Sequence, residues 1–160
     1  MELQVGDRAP EFELLDGEGN TVKLADFAGK RVILYFYPRD NTPGCTKEAC
    51  GFRDRLPDFE AQNTVILGIS ADDAKSHGKF TKKFDLNFPL LCDTENTVAT
   101  AYGSYGLKKF MGREFMGVFR HTFVIGPDGT LEKIYRKVKA EPHPAQVLDD
   151  LAELPPVAAS

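Results

Sequence analysis

The chain has 160 residues, enough for one domain that buries its own core without disulfide or metal staples. Its net charge of -4 offers no basic excess to nucleic-acid phosphates, and 42% hydrophobic with 28% charged residues is the balance of an ordinary folded domain. The opening Met1 to Leu15 has no basic stretch followed by an apolar run, and no window approaches the ~20 apolar residues of a membrane span, so a cytoplasmic protein is expected.

In chain order, Glu11 to Leu15 reads as a short strand, and the turn Asp16 to Asn20 lets Val22-Lys23-Leu24 pair back on it. Val32 to Tyr37 is an almost unbroken run of β-forming apolar residues, the pattern of a strand covered on both faces. Pro38 ends it, and a loop leads to Gly44. The period then changes: Cys45, Ala49, Phe52, Leu56 and Phe59 recur at helical spacing, predicting a helix to about Gln62 that Pro57 interrupts. Val65 to Ser70 predicts a second buried strand. A helix capped by Asp72 or Asp73 follows and runs to Phe84. Pro89 to Cys92 predicts a third strand, and Thr94 to Tyr102 a short helix. Arg120 to Ile125 and Leu131 to Arg136 read as a hairpin about Gly126-Pro127-Asp128-Gly129, and His143 to Leu154 as a terminal helix. The order predicts a single α/β domain over residues 1–154, with helices on both faces of a mixed sheet, the last hairpin antiparallel at one edge, and 155–160 a frayed tail. Such an order is compatible with a thioredoxin-like fold.

Three cysteines, Cys45, Cys50 and Cys92, are too few and too odd in number for a secreted disulfide scaffold. In a reducing compartment a close pair points instead to redox catalysis or metal binding. Cys45 follows a strand and a Pro-Gly loop and opens a helix, where unpaired N–H groups and the helix dipole favour a thiolate, the nucleophilic form. Thr42, three residues earlier, is expected to turn its hydroxyl toward the sulfur or a bound oxygen. Three other classes remain open on these residues. A protein disulfide oxidoreductase would use Cys-x-x-Cys, whereas four residues separate this pair. A zinc module could combine Cys45 and Cys50 with His77, His121 or His143, although the usual ligand spacings are missing. A non-enzymatic docking domain is the third.

Pro38-Arg39-Asp40-Asn41-Thr42-Pro43-Gly44-Cys45 resembles the Pro-x-x-x-Thr-x-x-Cys signature of peroxiredoxins. Its continuation Thr46-Lys47-Glu48-Ala49-Cys50 resembles the bacterioferritin comigratory protein, or peroxiredoxin Q, subfamily. The likeness extends from Val5-Gly6-Asp7 through Arg120-His121-Thr122 to the last helix. It implies a thioredoxin-like fold and a thiol peroxidase acting on hydrogen peroxide and alkyl hydroperoxides without metal, haem or other cofactor. It further implies Cys45 as peroxidatic cysteine, Thr42 and Arg120 completing the site, Pro38 shielding it and Glu48 orienting the arginine. Cys50 would resolve the Cys45 sulfenic acid as an intramolecular disulfide. Thioredoxin or a glutaredoxin-type protein would return the dithiol, and resolution within one chain implies a monomer.

Two expectations follow from elementary geometry. Residues five apart in a helix have Cα atoms roughly 8.6 Å apart, beyond the roughly 4.4–6.8 Å of a disulfide, so Cys45 and Cys50 can join only if their helix unwinds. Gly44 and Gly51 are expected to ease that rearrangement. Alternation places Arg120 and Thr122 on one face of their strand and His121 and Phe123 on the other, leaving His121 a structural role. Cys92 reads as an inert buried thiol.

Overall fold

The computed structural model describes residues 2–157. Strands β1 (Glu13–Asp16) and β2 (Thr21–Lys23) form the expected hairpin, and a short 3-10 turn spans Leu24–Phe27. The apolar run becomes β3 (Arg31–Phe36), every residue of it buried. Helix α1 (Pro43–Glu60) starts at Thr42, whose extended backbone is the N-cap, with Pro43 at the first helical position. It is followed by β4 (Thr64–Ser70), α2 (Ala74–Phe84), β5 (Leu90–Cys92) and a one-turn α3 (Thr97–Ala101). Then come β6 (Tyr105–Phe110), β7 (Arg113–Val118), β8 (Thr122–Ile125), β9 (Leu131–Tyr135) and α4 (His143–Leu151).

Seven strands form one mixed sheet in the order β2-β1-β5-β4-β3-β8-β9. β3 lies inside it, parallel to β4 and antiparallel to β8, and β9 closes one edge as expected. Alternation along β3 explains its complete burial. Ile33 and Tyr35 enter a core with Phe52 and Phe59 of α1, Phe80 of α2 and Val147 of α4. Leu34 and Phe36 enter the opposite core with Val98 and Tyr102 around α3. The chain therefore has the thioredoxin-like α/β architecture expected of it.

The structure departs from expectation in four places. Pro57 does not end α1. Lacking an N–H, it leaves the Arg53 carbonyl without its helical donor, and Asn87 Nδ2 donates to that carbonyl at 3.2 Å. The helix expected from Thr94 is shorter, because Asp93 carboxylate oxygens accept from the Val98 and Ala99 N–H groups and set its start. Residues 105–118, to which no element was assigned, form a separate two-stranded sheet, β6 with β7, that turns at Met111 and Gly112. The tail is tied down as far as it is described: Arg31 Nη2 donates to the Pro155 carbonyl at 2.8 Å and Asn63 Nδ2 to the Val157 carbonyl at 3.2 Å. Residues 158–160 of the expected frayed tail lie outside the described residues. Among the described residues no helix is long and apolar enough to cross a membrane.

Gly68 on β4 shows how tightly the sheet carries the layer beneath α1. A methyl group there would lie 2.8 Å from Leu90 Cδ2 and 2.9 Å from the Tyr35 hydroxyl. Gly68→Ala is therefore expected to destabilise the fold by about 1–3 kcal/mol, measured by urea denaturation.

Candidate active site

Three segments meet at Cys45. The loop after β3 brings Pro38 to Thr42, the first turn of α1 brings Cys45 and Glu48, and the residue pair before β8 brings Arg120. Cys45 is the third residue of α1, so its N–H is among those that lack an intrahelical acceptor. Its side chain is 1% exposed. Arg120 Nη2 lies 3.3 Å from Cys45 Sγ, and Arg120 Nη1 donates to Glu48 Oε1 at 2.7 Å. One guanidinium thus spans the sulfur and the carboxylate. Cys45 and Glu48 are three residues apart on one face of α1, which lets a single planar group reach both.

Gly44 makes room for this arrangement: a Cβ there would come within 3.3 Å of Arg120 Nη2. Gly51 has a similar role at the back of the helix, where a Cβ would lie 2.7 Å from Pro144 Cγ of α4. Both glycines, read from sequence as flexibility, are places of close approach in this fold.

Glu48 is fully buried. Desolvation outweighs the pairing with Arg120 and lifts its carboxyl to about 7. Burial works against the Arg120 cation, but Glu48 and the Cys45 sulfur more than offset it and raise its pKa. Glu48 Oε2 and the Tyr35 hydroxyl are buried without a hydrogen-bond partner among the described residues. Burial, then the nearby Glu48, Cys45 and Asp40, raise the Tyr35 pKa and keep its phenol protonated.

The expected Thr42 contact differs. Its hydroxyl donates to the Arg39 carbonyl at 3.0 Å, committing the proton within the loop and leaving the oxygen as an acceptor. Pro38, at the end of β3, is half-buried. Cys50 is half-buried in the same unbroken helix as Cys45, and all three cysteines are free thiols. Cys92 is half-buried on β5, less enclosed than expected. Its thiol donates to the Asp16 carbonyl at 3.7 Å, and burial, with nearby carboxylates, lifts its pKa to about 11. His121 turns to the other side of the sheet, where its Nδ1 meets Ser104 Oγ at 2.9 Å and its ring stacks on Phe119. Burial first, then Arg136, lowers its pKa to about 4, so it is neutral.

The residues of the zinc alternative do not converge. His143 Nε2 meets Thr122 Oγ1 at 2.8 Å and His121 faces Ser104. The group of acidic and histidine side chains that does converge among the described residues is Asp40, Asp72 and His77, which contains no cysteine. Lys108, on the hairpin that sequence reading missed, donates to the Val118 carbonyl at 2.9 Å. Burial first, then Arg120, lowers its pKa.

Residues 5–134 match the AhpC/TSA family. Peroxiredoxin Bcp of Bacillus subtilis is 47% identical over 154 residues, covering 96% of this chain and 98% of that protein. A crystal structure of a cysteine mutant of Xylella fastidiosa PrxQ superposes with a TM-score of 0.90 at 32% identity, covering 96% and 98% of the two chains. Bacterioferritin comigratory protein of Xanthomonas campestris, described for its alkyl peroxide reduction activity, gives 0.84 at 35% identity over 89% and 90%.

The Glu48 carboxyl yields a test of the site's electrostatics. Its folded pKa of about 7 stands above the ordinary glutamate value, so its contribution to stability is full below about 4.5 and is lost as pH rises through 7. Urea denaturation at pH steps between these values should show stability falling with rising pH, and a Glu48→Gln protein should lack that component of the slope.

Proposed function

The chain belongs to the AhpC/TSA family as a thiol-dependent peroxidase of the peroxiredoxin Bcp kind, and from that premise we propose that Cys45 is its nucleophile and Cys50 its resolving thiol. The observation that carries the assignment is the Arg120 guanidinium placed on the buried Cys45 sulfur at 3.3 Å. The Cys45 thiolate attacks one peroxide oxygen. The S–O bond forms as the O–O bond breaks, and the departing oxygen leaves with the electron pair and takes up a proton. Arg120 and the Cys45 N–H are donors for the negative charge as it moves from sulfur to oxygen. Thr42 Oγ1, its own proton held by Arg39, accepts from the hydroperoxide O–H and so orients it. Glu48 fixes the plane of Arg120, and Pro38 helps keep water out.

The product is Cys45 sulfenic acid, which condenses with the Cys50 thiol to give a disulfide and water. Because α1 is continuous across both residues, its first turns must unwind for the sulfurs to meet. An external dithiol then reduces the disulfide. We assign that role to thioredoxin or a glutaredoxin-type protein, and the working unit to one cytoplasmic monomer whose catalytic domain spans residues 1–154. The in-chain cysteine pair supports the monomer, since resolution needs no second subunit. Hydrogen peroxide and alkyl hydroperoxides both fit the proposed chemistry, the latter being the activity described for the Xanthomonas relative.

Intact mass after one equivalent of hydrogen peroxide tests the scheme. The wild type should lose about two mass units as two thiols become a disulfide, and Cys50→Ser should instead gain oxygen. Unchanged mass in both would refute the assignment. Cys92→Ser should leave peroxide turnover nearly intact, as befits a thiol held protonated at neutral pH. A loss matching that of Cys45→Ser would restore Cys92 to the mechanism.

A further inference from the structure

The loop that carries Thr42 into Cys45 is fastened at Asp40 to a part of the fold that the proposed chemistry does not use. Asp40 Oδ1 accepts from the Tyr37 hydroxyl at 2.6 Å. Asp40 Oδ2 accepts from Ser76 Oγ at 2.8 Å and faces His77 Nδ1 at 2.7 Å. The Asp40 N–H donates to Asp72 Oδ2 at 2.8 Å, an oxygen that also accepts from Ser70 Oγ at 2.6 Å. His77, fully buried on α2, has its other nitrogen, Nε2, 2.8 Å from the Leu91 carbonyl of β5.

Both imidazole nitrogens of His77 therefore face oxygens that accept. A neutral ring has one N–H and one lone pair, and would set that lone pair against one of the two oxygens. The doubly protonated ring satisfies both. Burial pulls the His77 pKa down, but the Asp40 hydrogen bond and charge, followed by the Leu91 carbonyl, outweigh it and leave it raised. Asp72, approaching from the β4–α2 connection, reinforces this state, and the Tyr37 phenol just past β3 is kept protonated and neutral, by burial first. Cys92 next to Leu91 on β5 is likewise kept as a thiol, and Asp16 of β1 lies beyond it. On the solvent side Arg39, Lys79 and Lys83 line a cleft over Asp40 and Asp72.

Little slack separates this clamp from the sulfur. Asn41, at φ 57°, takes the left-handed conformation that asparagine adopts readily and makes a tight turn between Asp40 and Thr42. The Thr42 hydroxyl bonds the carbonyl of Arg39, on the other side of Asp40. Any shift of Asp40 thus carries along the Arg39 carbonyl, Thr42 and, through its N-cap, the start of α1.

Building on the peroxidase reading, we infer that His77 is a positioning residue for the reaction: as an imidazolium paired with Asp40, it fixes the loop Pro38 to Thr42 so that Thr42 and Cys45 meet the hydroperoxide in register. The clamp's contribution is full below the ordinary histidine pKa of about 6.5 and is lost as pH rises through the higher folded value.

Stopped-flow rates of Cys45 oxidation by hydrogen peroxide, taken from mildly acidic to alkaline pH on wild type, His77→Gln and Asp40→Asn, test this. At neutral pH both variants should be slower by about tenfold or more while retaining the wild-type near-ultraviolet circular dichroism. The ratio of wild-type to variant rate should close toward one as pH rises, because the wild type then loses the same cation. A ratio independent of pH, or a folded variant that reacts at the wild-type rate, would overturn the inference. Nitrogen-15 spectra of the wild-type His77 ring supply a readout that needs no variant: two protonated nitrogens at neutral pH are expected, and a single one would overturn it. A wild-type Cys45 inert to peroxide would instead overturn the peroxidase reading and this inference with it, so the two failures are distinct.

Discussion

A guanidinium enclosed between a buried sulfur and a buried carboxylate sets the terms for this molecule. Arg120 is half-buried, so its charge is partly stripped of water and favours an electron-rich partner on each side. Glu48 occupies one side at 2.7 Å, and the other side is therefore a place where negative charge is welcome. The Cys45 sulfur sits there, and in the proposed reaction the departing peroxide oxygen is the charge that the same donors would meet. The arrangement depends on the helical course of α1 from Cys45 to Glu48, which sets residues three apart on one face and presents sulfur and carboxylate to one planar group. It also requires Gly44 beside Arg120, where a side chain would crowd the guanidinium.

The two halves of the proposed cycle ask opposite things of α1. Peroxide cleavage needs Cys45 held still among its donors. Disulfide formation needs the same turn to come apart, because an intact helix keeps the two sulfurs on nearly opposite sides. The surroundings divide along this line. The segment before the cap is anchored by Asp40 to the β4–α2 connection and to α2, and the helix from Gly51 onward is packed on Pro144 and the core around Phe52 and Phe59. Between these anchors lie Cys45 to Cys50, the stretch that must rearrange.

Much of the fold was legible in the chain. The Val32 to Tyr37 run, the helical spacing from Cys45 to Phe59 and the turn at Gly126 to Gly129 each reflect a local periodicity that needs no distant partner, and each became the expected element. The hairpin of Tyr105 to Val118 escaped for the opposite reason. It touches the core only at its two ends, Tyr105 and Val118, and exposes Phe110 and Met111 at its tip, so it lacks the alternation that marks a strand packed on a core along its length. At the site, Cys45 with Thr42 stood out because one short loop-to-helix segment contains them, and the resemblance to peroxiredoxins added Glu48 and Arg120. The Thr42 hydroxyl was expected to face the sulfur or a bound oxygen and donates instead to the Arg39 carbonyl, three residues back in the same loop.

By itself the sequence determined which residues are in register along each element: which face of α1 carries Cys45, which side of the sheet receives Arg120, where strands end at proline and glycine. Those are consequences of fixed helical and strand periods and act over a few residues. Charge states, and contacts between residues distant in the chain, followed from packing rather than from local pattern. Asp40 and His77 are far apart in the chain, as are Glu48 and Arg120, and nothing local marks either pair. Whether a carboxyl titrates near 7 or an imidazole keeps both protons depends on how much water the fold removes and which dipoles replace it, quantities that come into being only when the layers close.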